Sequence, residues 1–206
     1  MTFPNESYAV IGAFADDYFE HLAGAAASVD RAALTEATAV LKRTYVAGGT
    51  VFACGNGGSA AISNHLHCDH LKGVQTDTAL KPKVVSLSAT IETITAIAND
   101  ISYDEVFVYQ LRTLAEPGDA LITISSSGNS ENVVRACQWA KDNGVATTVM
   151  TGFDGGRSRA IADISLHVDA DNYGVIEDVH QSLMHILAQF IRQAEMDAGL
   201  IAERKF

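Results

Sequence analysis

Basic residues are scarce in this chain. Its 206 residues carry 14 Lys+Arg against 25 Asp+Glu, a net charge of −11, with no basic run anywhere. That deficit argues against a nucleic-acid or anionic-lipid footprint. An anionic ligand would have to be held by backbone dipoles and hydroxyls, not by the global field. Cysteine is sparse too: Cys54, Cys68 and Cys137 are odd in number and form no CxxC. Reduced thiols in a cytoplasm explain this better than a disulfide framework. No apolar run reaches the roughly 18 residues that a membrane span requires. Met1–Ser7 holds an acid but no basic n-region, so it does not read as a signal peptide. The expected setting is cytoplasmic, away from membrane and nucleic acid. There is no internal repeat, low-complexity tract or Pro/Ser-rich linker. With 48% hydrophobic residues, the 206 residues read as one domain with a sizeable core.

What is present is a regular alternation of elements. Apolar residues at Val10, Ile11, Phe14, Tyr18, Phe19 and Leu22 have helical spacing over Tyr8–Leu22. A second helix runs from Asp30, a plausible N-cap, to Ala47, and Gly48-Gly49 stops it. This hairpin, residues 1–48, packs on the core or faces a second subunit. From 49 to 206, strand signals at Thr50–Cys54, Lys83–Leu87, Ala120–Ile124, Ala146–Met150 and Ile164–Val168 alternate with helices. The helices are expected over Ala60–Leu71, Ile91–Ala98, Asp104–Leu114, Glu131–Asn143, Arg157–Ala162 and Val175 to about Ala198. Such alternation predicts an α/β fold, a mostly parallel sheet covered by helices on both faces. Ligands in such sheets bind outside the carboxyl ends of the strands.

Two strand-to-helix turns have the composition of anion cradles. In the first, Cys54-Gly55-Asn56-Gly57-Gly58-Ser59, glycines let backbone N–H groups approach a phosphate and Ser59 adds a hydroxyl. The second, Ser125-Ser126-Ser127-Gly128-Asn129-Ser130, places four hydroxyls before the helix at Glu131. A helix cap needs only one such residue, so phosphate binding is the favoured reading. Between the cradles, Asn99 and Asp100 end a helix, either as a turn or aimed at substrate hydroxyls. His65 and Asp69 are four apart and share a helical face. The last helix carries Glu177, His180 and His185; Glu177 and His185 lie about 12 Å apart along the axis. They meet at one metal only if it lies between them or if the helix starts near Glu177. His67, Cys68, His70 and His180 are assigned to packing or interfaces.

Gly55–Ser59, the run Ala96–Asp100 followed by Tyr103 and Val106-Phe107, Ser125–Ser130, and Glu177…His180…His185 stand in the order and spacing of the phosphoheptose isomerases. The chain resembles that family of sugar isomerase (SIS) domain proteins over about residues 50–190. The resemblance implies a flavodoxin-like three-layer sandwich, a homotetramer with sites between subunits, and an aldose–ketose isomerisation of sedoheptulose 7-phosphate, often with Zn²⁺. Carried over by position, Gly57, Gly58, Ser59, Ser125, Ser126, Ser127 and Ser130 would hold phosphate, and Asn56, Asn99 and Asp100 the sugar hydroxyls. His65, Asp69, Glu177 and His185 would form the metal and acid–base set. Asp69 would be the base and His185 its acid partner, with Glu177 also near the substrate. Three positions depart from the pattern. Asp69 replaces the family's Glu, and Glu177 replaces its Gln. Val74 stands where an Arg is usual, with one extra residue before it and Lys72 as the nearest cation. Two carboxylates with two imidazoles suit zinc and tolerate iron or manganese. They would also leave a bound metal less Lewis acidic. The competing class is a non-catalytic SIS protein that senses phosphosugars or associates with a replication initiator.

Overall fold

The computed structural model describes residues 2–206. Five strands form one parallel sheet: β1 (Thr50–Gly55), β2 (Lys83–Ser86), β3 (Ala120–Ile124), β4 (Ala146–Thr151) and β5 (Ile164–His167). Their order is β2-β1-β3-β4-β5, the flavodoxin-like arrangement. Its ligand crevice lies where the strand order reverses, between β1 and β3. Eight α-helices accompany the strands: α1 (Ile11–Ser28), α2 (Arg31–Val46), α3 (Gly58–Cys68), α4 (Ile91–Asp100), α5 (Val108–Leu114), α6 (Glu131–Asp142), α7 (Gly156–Ile161) and α8 (Tyr173–Glu195).

The pleat of β1 divides the core. Val51 and Ala53 point to a cluster built with Leu41 and Tyr45 of α2, Leu66 of α3 and Met184 of α8. Phe52 and Cys54 point the other way, to Ile97 of α4, Leu111 of α5 and Ala136 of α6. A strand buried on both faces is expected to be apolar, and β1 and β3 are largely so; β4 buries Thr147, Thr148 and Thr151, with Thr147 bonded to Asp163 and Thr151 to His167. Asp30 caps α2 as expected, its Oδ1 accepting from the backbone N–H of Ala32 at 2.7 Å. Gly48 follows with φ +74°. Among the described residues, no helix is long and apolar enough to cross a membrane.

Several boundaries differ from the sequence expectation for local reasons. The first helix starts at Ile11 and runs on to Ser28. Tyr18 and Leu22 pack inward, while Ile11 and Phe19 are 80% and 64% exposed. The helix expected over Asp104–Leu114 begins instead with a 3₁₀ turn at Tyr103–Glu105, where Ser102 Oγ accepts from the Asp104 N–H. The last helix starts earlier, at Tyr173, because Asn172 Oδ1 accepts the Val175 N–H. The largest difference concerns the helix after the first cradle. It begins at Gly58, and its α geometry ends at Cys68; Asp69–Val74 form a π-helical turn. A π turn widens the helix by one residue per turn, and this one carries the stretch from Asp69 to the buried Val74.

His70 and His180 are fully buried, as their assignment to packing requires. His70 Nδ1 lies 2.7 Å from the Tyr45 hydroxyl, and His180 Nε2 3.3 Å from the Thr151 carbonyl. Burial lowers both imidazole pKa values to about 4. The unfolded chain binds protons at these residues below pH 6.5 while the folded chain does not. Their contribution is therefore complete above that pH and is lost as pH falls toward 4. Urea titrations should show about 2 kcal/mol less stability per histidine at pH 5 than at pH 7.5. Equal stability at the two pH values would contradict the neutral burial of these rings.

Candidate active site

Both cradles stand at the carboxyl ends of adjacent strands. Gly55 is the last residue of β1, opposite Ile124 of β3. A Cβ on Gly55 would lie 2.7 Å from the Ile124 carbonyl oxygen and from Ser59 Cβ, so glycine is required there. Ser88 locks the same backbone: its hydroxyl donates to the Gly55 carbonyl at 2.8 Å and accepts the Gly55 N–H at 3.2 Å. Gly57 turns the chain with φ +55°, which opens α3 with N–H groups facing the crevice end of the sheet. Ser59 is buried at the start of that helix.

In the second cradle, Gly128 takes φ +63° and donates its N–H to Ser125 Oγ at 3.2 Å. Ser127 Oγ accepts from the Asn129 N–H at 3.3 Å. Ser130 is the N-cap residue of α6, yet its hydroxyl does not cap the helix. Ser126 Oγ is buried without a hydrogen-bond partner among the described residues. Ser125 and Ser127 thus each hold one backbone N–H of the turn, while the Ser126 and Ser130 hydroxyls take no part in capping α6. Arg157 approaches this turn, donating through Nη2 to the Asn129 carbonyl at 2.8 Å. Its charge is already met by Glu131 at 2.9 Å.

Asn56 is more engaged than its expected role with sugar hydroxyls required. Asn56 and Asn132 exchange two amide hydrogen bonds, at 2.9 and 3.0 Å, and Tyr103 donates its hydroxyl to Asn56 Oδ1 at 2.8 Å. This pair joins the two cradles across β1 and β3. Asn99 and Asp100 sit at the exposed last turn of α4, where Asn99 Nδ2 donates to Asp100 Oδ1 at 2.7 Å. No hydrogen bond joins them to either cradle among the described residues. The position of Lys72 is exposed, and Val74, where the family has a cation, is fully buried.

His65, Asp69 and His185 converge. Asp69 places one carboxylate oxygen 3.3 Å from His65 Nε2 and the other 3.6 Å from His185 Nε2. The two rings stand edge to face at 5.0 Å. One ligand atom from each residue lies within 4.8 Å of the others, so the trio fits a divalent cation. Glu177, expected as a fourth member, is not drawn into this group. It sits over the N-terminus of α3, where a Cβ on Gly58 would collide with its carboxylate. Desolvation first, and the charge of Asp178 second, raise its pKa. Between the imidazoles lies Gln181 instead, with Nε2 3.0 Å from His65 Nδ1 and 3.1 Å from His185 Nε2. Gln181, Asn132 and Ser88 escaped sequence reasoning; only the four-residue spacing of Gln181 and His185 could have flagged the first.

The model of the SIS domain family matches residues 16–152, which sets the class of protein. A phosphoheptose isomerase of Colwellia psychrerythraea is 37% identical over 155 residues, covering 74% of this chain and 79% of that protein. The solved phosphoheptose isomerase of Neisseria gonorrhoeae superposes with a TM-score of 0.80 at 30% identity, over 88% of this chain and 96% of that one. That of Francisella tularensis gives 0.82 at 28% identity, over 89% and 96%. The chain belongs to the phosphoheptose isomerase family of SIS-domain proteins.

The amide pair makes a direct test possible. Replacing Asn132 by Ala leaves the Asn56 amide without its partner in a half-buried place, at a cost of about 1–3 kcal/mol. Chemical denaturation should register that loss, whereas an unchanged midpoint would mean that the pair holds nothing together.

Proposed function

We propose that this phosphosugar isomerase interconverts sedoheptulose 7-phosphate and a D-glycero-D-manno-heptose 7-phosphate through an enediol. The observation that carries the reading is the carboxylate–imidazole group His65–Asp69–His185, on helices that pack beside the first phosphate cradle, in a chain of the phosphoheptose isomerase family. The regulatory alternative is not favoured by that membership. The substrate phosphate is held by Ser59 and by Ser125, Ser126, Ser127 and Ser130 with the adjoining backbone N–H groups, as an acidic protein requires.

Aldose–ketose interconversion moves a proton between C1 and C2. Asp69 accepts the C1 proton of the ketose while His185 donates a proton to the C2 carbonyl oxygen, which yields the enediol. Asp69 then returns its proton to C2, and His185 recovers one from the O1 hydroxyl as the aldehyde forms. His65, Asp69 and His185 would hold a divalent cation, most simply zinc for two nitrogens and an oxygen. Such a cation, when bound, polarises the carbonyl oxygen. Glu177, beside Gly58 at the first cradle, would contact the substrate.

Assembly and setting belong to the same proposal. Ile11 and Phe19 on α1, and Ile186 and Phe190 on α8, are about half exposed or more. An apolar surface of this kind supports a homotetramer, with sites completed across subunits, in the cytoplasm. Light scattering should therefore show a tetramer; an active monomer at assay concentration would contradict it.

Asp69→Asn and His185→Ala should each abolish turnover while phosphosugar binding persists in calorimetry. Ser125→Ala with Ser127→Ala should weaken that binding, each lost charge-assisted hydrogen bond costing about 1.5–3 kcal/mol. Turnover by Asp69→Asn, or affinity indifferent to the serines, would refute the respective assignment.

A further inference from the structure

We infer that Arg157 is a positioning residue for the substrate phosphate: it holds the Asn129–Ser130 peptide so that the Ser130 N–H faces the crevice. The inference rests on the phosphate reading of the second cradle above. The turn between β4 and α7 lies against the back of that cradle, on the side away from β1. No side chain fits between them. A Cβ on Gly128 would collide with the Gly155 carbonyl, and one on Gly156, at φ +57°, with the Ser127 carbonyl. At this contact the turn directs its donors at the cradle's carbonyl oxygens. The Gly152 N–H donates to the Ser126 carbonyl at 2.8 Å and the Ser158 N–H to that of Gly128 at 3.0 Å. Arg157 holds Asn129 twice, by Nη2 to its carbonyl at 2.8 Å and by the backbone N–H to its Oδ1 at 3.1 Å.

In a trans peptide the C=O and the following N–H point in opposite directions. A carbonyl held from the β4 side therefore turns the next N–H toward β1 and the crevice. Three N–H groups are turned in this way, those of Ser127, Asn129 and Ser130. The Asn129 N–H donates to Ser127 Oγ. The other two meet no acceptor among the described residues, so they are the N–H groups left for an anion. Backbone fixes the first, through Gly152. A side chain fixes the second, through Arg157. The guanidinium suits the task because its fork makes two contacts in one plane. Nη1 pairs with Glu131 at 2.9 Å while Nη2 holds the carbonyl. Its charge is thereby met, and what it contributes to the phosphate is geometry set before the ligand arrives. The phosphate end of the sugar does not react, so this geometry serves ground state and transition state alike.

The test uses the full chain with inorganic phosphate as the probe, read by calorimetry and by backbone amide NMR. Phosphate should shift the Ser127 and Ser130 amide signals of the unmodified chain. In Arg157→Ala the Ser130 response should be lost while that of Ser127, held by Gly152, persists. Phosphate affinity should fall about three- to tenfold, less than outright loss of a charge-assisted hydrogen bond would bring. With sedoheptulose 7-phosphate, KM should rise by a similar factor and kcat stay within about twofold. Arg157→Lys, which keeps the charge without the fork, should recover only part of the affinity. Full recovery by lysine, or equal loss of the Ser127 and Ser130 responses, would show that charge or general order matters and overturn the inference. So would unchanged affinity in Arg157→Ala. If the unmodified chain binds phosphate but turns over no ketose phosphate, the isomerase assignment fails while the phosphate arms still decide this inference. If it binds no phosphate, the cradle itself fails and the inference falls with it.

Discussion

The site depends on how closely the ends of β1 and β3 approach. Parallel pairing runs as far as Gly55 opposite Ile124, and there is no room for a side chain at Gly55. Because neighbouring strands leave the sheet into different helices at this point, two strand-to-helix turns open side by side. Each delivers unpaired N–H groups and hydroxyls to a common crevice. The Asn56–Asn132 amide pair fastens the turns to each other, and Tyr103 anchors the pair from the 3₁₀ turn after α4. A wider residue at Gly55 would move both cradles at once.

The distribution of charge follows from the same geometry. An acidic protein that binds a phosphate must shield it from its own field. Here the donors are neutral, and the nearby guanidinium groups are already engaged. Arg157 and Arg135 both pair with Glu131, and Arg135 also with Glu105. These exposed pairs contribute little stability individually. As a network they fix the α6 N-terminus relative to α7 and the 3₁₀ turn. The hydroxyl cradle is therefore bordered by neutralised ion pairs and not by a free cation.

Chemistry enters from the other side, where α3 faces α8. The π turn at Asp69–Val74 begins at the residue assigned as base. At that residue the Asp69 carboxylate stands beside two imidazoles. In a regular α-helix, one more residue would rotate the downstream chain by about 100°. The π turn carries Val74 into the core, Glu177 lies over Gly58, and Gln181 stands between the imidazoles.

Elements whose patterns are local were legible in the chain. All five strands, the Asp30 cap, the two glycine-hydroxyl turns and the His65–Asp69 pair were readable, because alternation, capping and helical spacing are set by near neighbours. The His185 partnership came only with the family likeness. The π turn was not readable, since one added residue shows its effect only when the helix must dock on both β1 and α8. Nor were the Asn56–Asn132 pair, the lock at Ser88 or the placing of Gln181 between two rings. Those contacts join residues 76, 33 and 116 positions apart. Sequence set which side chains could bind a phosphate or move a proton. Packing of α3 against α8 decided which of two α8 residues, Glu177 or Gln181, lies between the His65 and His185 rings, because only the folded backbone determines which one its neighbours leave room for.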